Sequence, residues 1–148
     1  MAHRIGLMVA GLALMTGMAI AHEGAMGVVK ERMDAMKGVG SSMRPLVAIM
    51  RGQSAFDADT VRDAGLAIAR HGRVAAEKFP PGSGGGVSEA RDAIWAEDST
   101  FDAKMNAFIA RAETLSVSAD EGEVAFRAAF QSLAQTCGDC HETYRIKK

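Results

Sequence analysis

Apolar residues recur along the chain at the alternating three- and four-residue spacing of helices in a bundle. The first such segment has its apolar or small positions at Val29, Met33, Met36, Gly40, Met43, Val47 and Met50. Residues spaced in this way share one face of an α-helix, which can then pack against other helices. Pro45 lies inside the segment and predicts a bend or an early end, because proline lacks an amide hydrogen and crowds the preceding turn. Gly52 follows, as expected after a helix.

Two more helices are predicted in the middle of the chain. One should begin after Asp57 or Asp59, which are suited to an N-cap, and should end near Phe79. The segment 80–86, rich in proline and glycine, cannot continue a helix and predicts a surface loop. The third helix carries the apolar residues Ile94, Phe101, Met105, Phe108, Ala112 and Leu115.

The last helix is expected to begin at residues 118–121, which resemble an S-x-x-E capping box. Its apolar face consists of Phe126, Phe130, Leu133, Cys137, Cys140 and Tyr144. Four helices with short connections predict an all-α fold, an antiparallel up-down-up-down four-helix bundle. The length of 148 residues fits one such domain.

The N-terminus has the features of an export signal. His3 and Arg4 precede an apolar run over residues 5–20, and the run ends in the small-residue pattern Ala-Ile-Ala. This arrangement predicts a signal peptide over residues 1–21, a mature domain over residues 22–148 and a location in the periplasm. An uncleaved membrane anchor is the alternative, because the run falls just short of a comfortable membrane span. Later apolar runs are broken by charges, so no span is expected after cleavage.

The charge of the mature chain argues against nucleic acid as a partner. Removing Arg4 from the 17 basic residues leaves 16, against 18 acidic ones. Nucleic-acid binding requires concentrated positive charge, which this balance does not provide.

The only two cysteines form the sequence Cys137-Gly-Asp-Cys140-His141. This is the C-x-x-C-H pattern of c-type haem attachment, in which each thiol bonds to a haem vinyl group and the histidine binds the iron. A redox disulfide or half of a zinc site are the alternatives. A redox C-x-x-C is expected beside a βαβ unit, and a structural zinc site needs four ligands; the sequence indicates neither. We therefore expect one covalent haem c, with His141 as an iron ligand.

A C-x-x-C-H motif on the last helix of an exported four-helix bundle resembles the class II c-type cytochromes, the cytochrome c prime family. Further similarities are Met36 and Met43 on the first helix, Gly52 after it, and the stretch 94–102 on the third helix. The resemblance implies that the haem lies between the helices near one end of the bundle, with the first helix covering its distal face.

In this family, the residue at the Met36 position determines the iron chemistry. The resemblance is to the low-spin branch, in which a methionine sulfur completes the coordination; most cytochromes c prime have a non-ligating residue there. A thioether is a soft, neutral ligand that favours ferrous iron and fills the site. Gly40, one turn further on, leaves room for a flat macrocycle. Met36 could instead only pack, and Met33 and Met43 are lesser candidates for the ligand.

Two arginines resemble family positions near the haem. Arg145 follows His141 by four residues and resembles the basic residue beside the proximal histidine, where it would contact a propionate or shield the imidazole. A solvated arginine near a helix C-terminus is the alternative. Arg32, one turn before Met36, resembles a residue near the haem edge, and an ordinary surface arginine is the alternative. His71 is expected to have a surface or interface role.

The sequence thus predicts a single-electron carrier with His141 and Met36 as iron ligands, working with exported redox partner proteins, and not an enzyme. The alternative is a five-coordinate high-spin protein that binds nitric oxide or carbon monoxide, with Met36 only packing. Family members are often dimers packed through their first two helices, and the exposed residues here neither require nor exclude a homodimer.

Overall fold

A computed structural model describes residues 26–147, which form a bundle of four helices. The helices are α1 (Gly27–Met50), α2 (Ala58–Ala76), α3 (Phe101–Ser118) and α4 (Glu123–Tyr144). Short 3₁₀ helices lie before α3, at Asp92–Trp95, and after it, at Ala119–Glu121. Each helix packs against the next one in the chain. The predicted all-α four-helix bundle is confirmed.

The buried apolar side chains form two clusters at different levels of the bundle. The larger cluster includes Leu46, Ile68, Leu115, Phe126 and Leu133, which are completely buried. The smaller cluster gathers Ala35, Ala75, Ile94, Phe101, Met105 and Tyr144. Met36 and Cys140 pack against the smaller cluster, so this end of the bundle brings α1 near the C-x-x-C-H motif.

Small residues let the first three helices approach one another closely. A Cβ atom placed on any of three helical glycines would lie less than 3 Å from a neighbouring helix: Gly38 against His71, Gly65 against Ser116, and Gly72 against Phe108. These contacts tighten the packing of α1 on α2 and of α2 on α3. His71 is therefore part of the α1–α2 interface within the bundle.

The start of α2 is as the sequence predicts. Asp57 is the N-cap, and its carboxylate accepts hydrogen bonds from the Thr60 backbone N–H at 3.1 Å and from the Thr60 hydroxyl at 2.6 Å. These bonds lower the pKa of Asp57, because they stabilise the ionised carboxylate. The helix ends at Ala76, close to the expected position.

Of the two effects expected of Pro45, a bend or an early end of α1, the early end is wrong, because the helix continues to Met50. Proline deprives only the carbonyl four residues earlier, that of Ser41, of its helical partner. Ser41 is exposed, so water can reach this carbonyl. Beyond the proline, Leu46 and Ile49 are buried in the core, and their burial favours continuation of the helix.

The predicted capping box is also wrong. Ser118 is still part of α3, and its buried hydroxyl donates to the carbonyl of Leu115 at 2.7 Å instead of capping α4. The turn occurs at Gly122, whose φ of 94° is accessible mainly to glycine, and α4 begins at Glu123. Burial of Ala119 in the core keeps this segment in 3₁₀ conformation beyond the expected break.

The predicted signal peptide lies outside the described residues. Among the helices within residues 26–147, none is long and apolar enough to cross a membrane.

Candidate functional site

A cavity of about 540 Å³ opens at the end of the bundle that holds the smaller cluster. Its walls come from α1, α3, α4 and the segment between α2 and α3. This volume lies within the range of about 300–1,000 Å³ that is usual for cofactor and ligand sites. Most of the side chains around it are apolar, including Val39, Phe79, Ile94, Phe101 and Phe108. The cavity therefore suits a largely apolar group.

The C-x-x-C-H motif lies on the α4 wall of this cavity. Cys137, Cys140 and His141 all line it, because residues three or four apart share a helix face. Both cysteines are free, half-buried thiols. Burial raises the pKa of both thiols, so both stay protonated at neutral pH. Within residues 26–147, no three His, Cys, Asp or Glu side chains are grouped to hold a metal ion.

The surroundings of His141 favour the neutral form of its imidazole. Partial burial lowers its pKa, the positive charge of Arg145 lowers it further, and the carboxylate of Glu89 acts in the opposite direction. A metal-binding histidine must be deprotonated on the binding nitrogen, so this environment suits an iron ligand. The imidazole borders a second, smaller hollow of about 480 Å³, which Glu89, Glu142 and Arg145 also line.

Methionines from two helices face the large cavity. Met33, Met36 and Met43 line it from α1, and Met105 lines it from α3. Met36 is half-buried, whereas Met33 is 39% exposed. Met105 was expected only as a core residue, and its place on the cavity could not be predicted from the sequence, because it depends on how α3 packs. The choice of Met36 as the iron ligand stays a prediction.

Gly40 leaves open space on the α1 wall. It lines the cavity, and a Cβ atom at this position would have no protein atom within 4 Å. A Cβ atom here would therefore not disturb the packing of α1 against its neighbours. This observation agrees with the expectation that Gly40 makes room for a flat group.

The alternative that Arg32 is an ordinary surface arginine is wrong, because only 4% of the residue is exposed. It lines the cavity, and its guanidinium lies 4.7 Å from the centre of the Phe79 ring. Nη1 donates to the Lys78 carbonyl and the Ser83 hydroxyl, and Nη2 donates to the Ser83 carbonyl and the Ser88 hydroxyl. Only the Nε–H is left without a partner in residues 26–147, so contact with a haem propionate stays a prediction for that single group.

Arg145 lies just beyond α4, as its C-cap, in an extended conformation. Its side chain is exposed and pairs with the carboxylate of Glu89, with Nε at 2.8 Å and Nη2 at 2.7 Å from Oε2. It lines both hollows beside His141. Arg145 is therefore exposed but also ion-paired, so it is more than a solvated arginine. A role beside the proximal histidine stays a prediction.

Comparison with known proteins identifies the family. The family model described as Cytochrome C' matches residues 27–145. Cytochrome c-556 of Agrobacterium tumefaciens (strain II Chrys) is 38% identical over 122 residues, which are 82% of this chain and 99% of that protein. Cytochrome c' of Alcaligenes xylosoxydans xylosoxydans is 31% identical, covering 81% of this chain and 94% of the relative.

Solved structures agree with these sequence comparisons. Cytochrome c prime from Shewanella frigidimarina has a TM-score of 0.76 at 27% identity, over 81% of this chain and 94% of that one. Ferric cytochrome c prime from Alcaligenes xylosoxidans has a TM-score of 0.74 at 31% identity, over 82% of this chain and 94% of that one.

The residues at the cavity fit a covalent haem. Two free thiols and an imidazole lie on one wall, mostly apolar side chains line the remainder, and the α1 wall is open at Gly40. Family members carry one covalently attached haem c, which requires this set of groups. The chain therefore belongs to the cytochrome c' family, the haem c proteins that act as electron carriers or ligand binders.

Proposed function

We propose that the protein is a periplasmic single-electron carrier in which Cys137 and Cys140 hold the haem and His141 and Met36 bind the iron. The observation that carries this proposal is that Met36, from α1, lines the same cavity as the C-x-x-C-H motif, from α4. The similarity to proteins named cytochrome c-556 supports the electron-carrier function. The predicted signal peptide supports the periplasmic location and exported redox partner proteins.

The haem supplies one-electron redox chemistry, and each residue of the chain has a separate task. The two thiols form thioethers that fix the position of the ring. His141 presents a neutral nitrogen, and Met36 presents a soft, uncharged sulfur that favours the ferrous state. The apolar walls limit water in the site, which reduces the reorganisation that accompanies electron transfer.

The second candidate function is reversible binding of nitric oxide or carbon monoxide by five-coordinate iron. The similarity to cytochromes c prime supports this alternative, since one Alcaligenes xylosoxidans structure, at 31% identity and a TM-score of 0.74, is titled as a nitric oxide complex of a variant. In that case Met36 would only pack against the smaller cluster.

Visible spectra of the purified holoprotein distinguish the two functions. Sharp low-spin bands that do not change with carbon monoxide are expected for the electron carrier. In the Met36→Ala variant the iron should become high-spin and react with carbon monoxide. Met33→Ala is the matched control, since it removes a methionine from the same wall. High-spin, gas-reactive iron in the unmodified protein would support the second function instead.

The location and partners need separate tests. Fractionation of an expressing bacterial cell should place the mature protein in the periplasmic fraction, and its mass should correspond to a chain that begins at His22. A cytoplasmic protein of full mass would contradict the proposed export. The homodimer remains a prediction, which sedimentation of the holoprotein can test.

A further inference from the structure

The two helices that are proposed to supply the iron ligands contact each other much less than each contacts its neighbour in sequence. Within the described residues, α1 packs mainly against α2, and α4 packs mainly against α3. At the far end of the bundle, Arg127 of α4 donates to the carbonyl of Met50 at 3.2 Å, which connects α4 to the end of α1. At the cavity end, residues 79–91, which we call the belt, form a hydrogen-bonded connection between α1 and the end of α4.

Arg32 fastens the belt to α1. It makes four hydrogen bonds of 2.6–3.1 Å, and three of them reach Ser83 and Ser88 of the belt. The fourth goes to Lys78, directly before the belt, and the guanidinium also lies over the ring of Phe79. Arg32 takes part in none of the ion pairs formed within residues 26–147, so these neutral groups solvate its buried charge.

The other end of the belt is fastened to the segment that follows His141. The Arg91 N–H donates to the Tyr144 carbonyl at 3.0 Å, and the Ile146 N–H donates to the Glu89 carbonyl at 2.7 Å. The Glu89 carboxylate also pairs with Arg145. These contacts join the belt to the last residues of α4 through backbone and side chain together.

Ser88 connects the two ends of the belt. Its hydroxyl accepts from Arg32 Nη2 at 2.6 Å and from the Ala90 N–H at 3.1 Å, directly beside the residues that bond to the C-terminal segment. An unbroken series of contacts therefore runs from α1, one turn before Met36, to the residues just after His141. The belt also forms part of the cavity wall, since Phe79, Glu89 and Ala90 line it.

We infer that Arg32 is a positioning residue that, through the belt, fixes the separation of α1 and α4 at the haem cavity. This separation sets how closely Met36 can approach an iron bound by His141, and in that respect the inference rests on the proposed function. Arginine suits the task because its planar group offers five N–H donors in fixed directions. Lysine has a single charged nitrogen and cannot reach Ser83 and Ser88 in the same geometry.

Spin-label distances in the holoprotein test the inference. Labels are placed at Lys30→Cys on α1 and Glu142→Cys on α4, both exposed, while haem attachment blocks the two native thiols. The distance distribution is compared among the labelled parent, Arg32→Met and the double variant Ser83→Ala with Ser88→Ala. The double variant keeps the buried charge and remains informative if Arg32→Met does not fold. Arg70→Met is the matched control, since Arg70 is exposed on α2 and has no hydrogen bond or ion pair in residues 26–147.

Arg32→Met and the double serine variant should both broaden the distance distribution and move it toward longer distances. Arg70→Met should leave it unchanged. Both should also increase the fraction of iron that reacts with carbon monoxide, at unchanged haem content. If the distances in Arg32→Met and in the double serine variant both match those of the parent, the inference is overturned. If the distances change but Met36→Ala leaves the spectrum of the parent unaltered, the belt fixes α1 against α4 and the proposed Met36 ligation fails.

Discussion

The hydroxyl of Tyr144 accepts a hydrogen bond from the backbone N–H of Thr100 at 3.0 Å, and so joins the end of α4 to the start of α3. A second contact, to the Thr100 hydroxyl, has the same length. The Tyr144 ring also meets Phe101 edge-on, with 5.3 Å between the ring centres. The end of α4 is thus held against the start of α3 at Tyr144, three residues after His141. Tyr144 and Phe101 both line the cavity.

Replacing Tyr144 with phenylalanine removes these hydrogen bonds and keeps the ring. We expect the free energy of unfolding to fall by about 1–2 kcal/mol, because the Thr100 N–H loses its acceptor. Chemical denaturation of the holoprotein, followed by circular dichroism, measures the change. The absorption spectrum should shift little, since the ring contact with Phe101 remains. Equal stability of variant and parent would show that water replaces the hydroxyl without cost.

Alanine substitutions at two helical glycines should affect different properties: the haem spectrum at Gly40 and the stability of the fold at Gly72. At Gly40 the added Cβ meets no protein atom, so the fold should remain and the haem spectrum should change. At Gly72 the Cβ would lie 2.7 Å from the Phe108 ring, and overpacking of this kind costs about 1–3 kcal/mol. Denaturation and visible spectra of both holoproteins test the pair. An unchanged spectrum for Gly40→Ala would place the haem away from this part of α1.

The N-cap of α2 should give a stability contribution that depends on pH. The folded state lowers the pKa of Asp57, so its contribution is present above the unfolded-state pKa of about 3.9 and is lost as the pH falls through the lower folded value. We expect Asp57→Ala to be less stable than the parent at pH 7, with a smaller difference near pH 3. Denaturation curves at both pH values measure it, and a difference that does not vary with pH would contradict the assignment.

Covalent attachment of the haem can be tested through the cysteines. A variant with both Cys137→Ala and Cys140→Ala should lose its haem during denaturing electrophoresis, whereas the parent retains it. Each single variant should keep one thioether, visible as a shift of the reduced absorption band. Haem that stays bound to the double variant after denaturation would show that attachment occurs elsewhere.

The fold could be predicted from the sequence wherever short-range rules decide the structure. Asp57 caps α2 as expected, because an N-cap depends on residues three positions away. Pro45 does not end α1, and Ser118 does not begin α4, because burial of Leu46, Ile49 and Ala119 outweighs these local preferences. Gly122 was the informative residue at the last turn, since it is the one with a positive φ there.

At the candidate site, too, short-range sequence patterns predict the place of some residues, whereas the place of others depends on residues far away in the sequence. Cys137, Cys140 and His141 are close in sequence, and their shared place on one cavity wall follows from helix periodicity. The burial of Arg32 depends on Ser83 and Ser88, more than fifty residues away, and no local pattern indicates that contact. Met105 likewise reaches the cavity through the packing of α3.

The three close glycine contacts bear on the order in which the chain folds. Two of them, Gly38 with His71 and Gly72 with Phe108, join residues fewer than forty positions apart, so loop closure costs less entropy for them than for contacts of longer range. The contacts of α4 with the belt and with the end of α1 span more than fifty residues and should form later. The cavity should therefore close around the C-x-x-C-H segment only when these contacts form, which leaves the segment accessible for haem attachment until then.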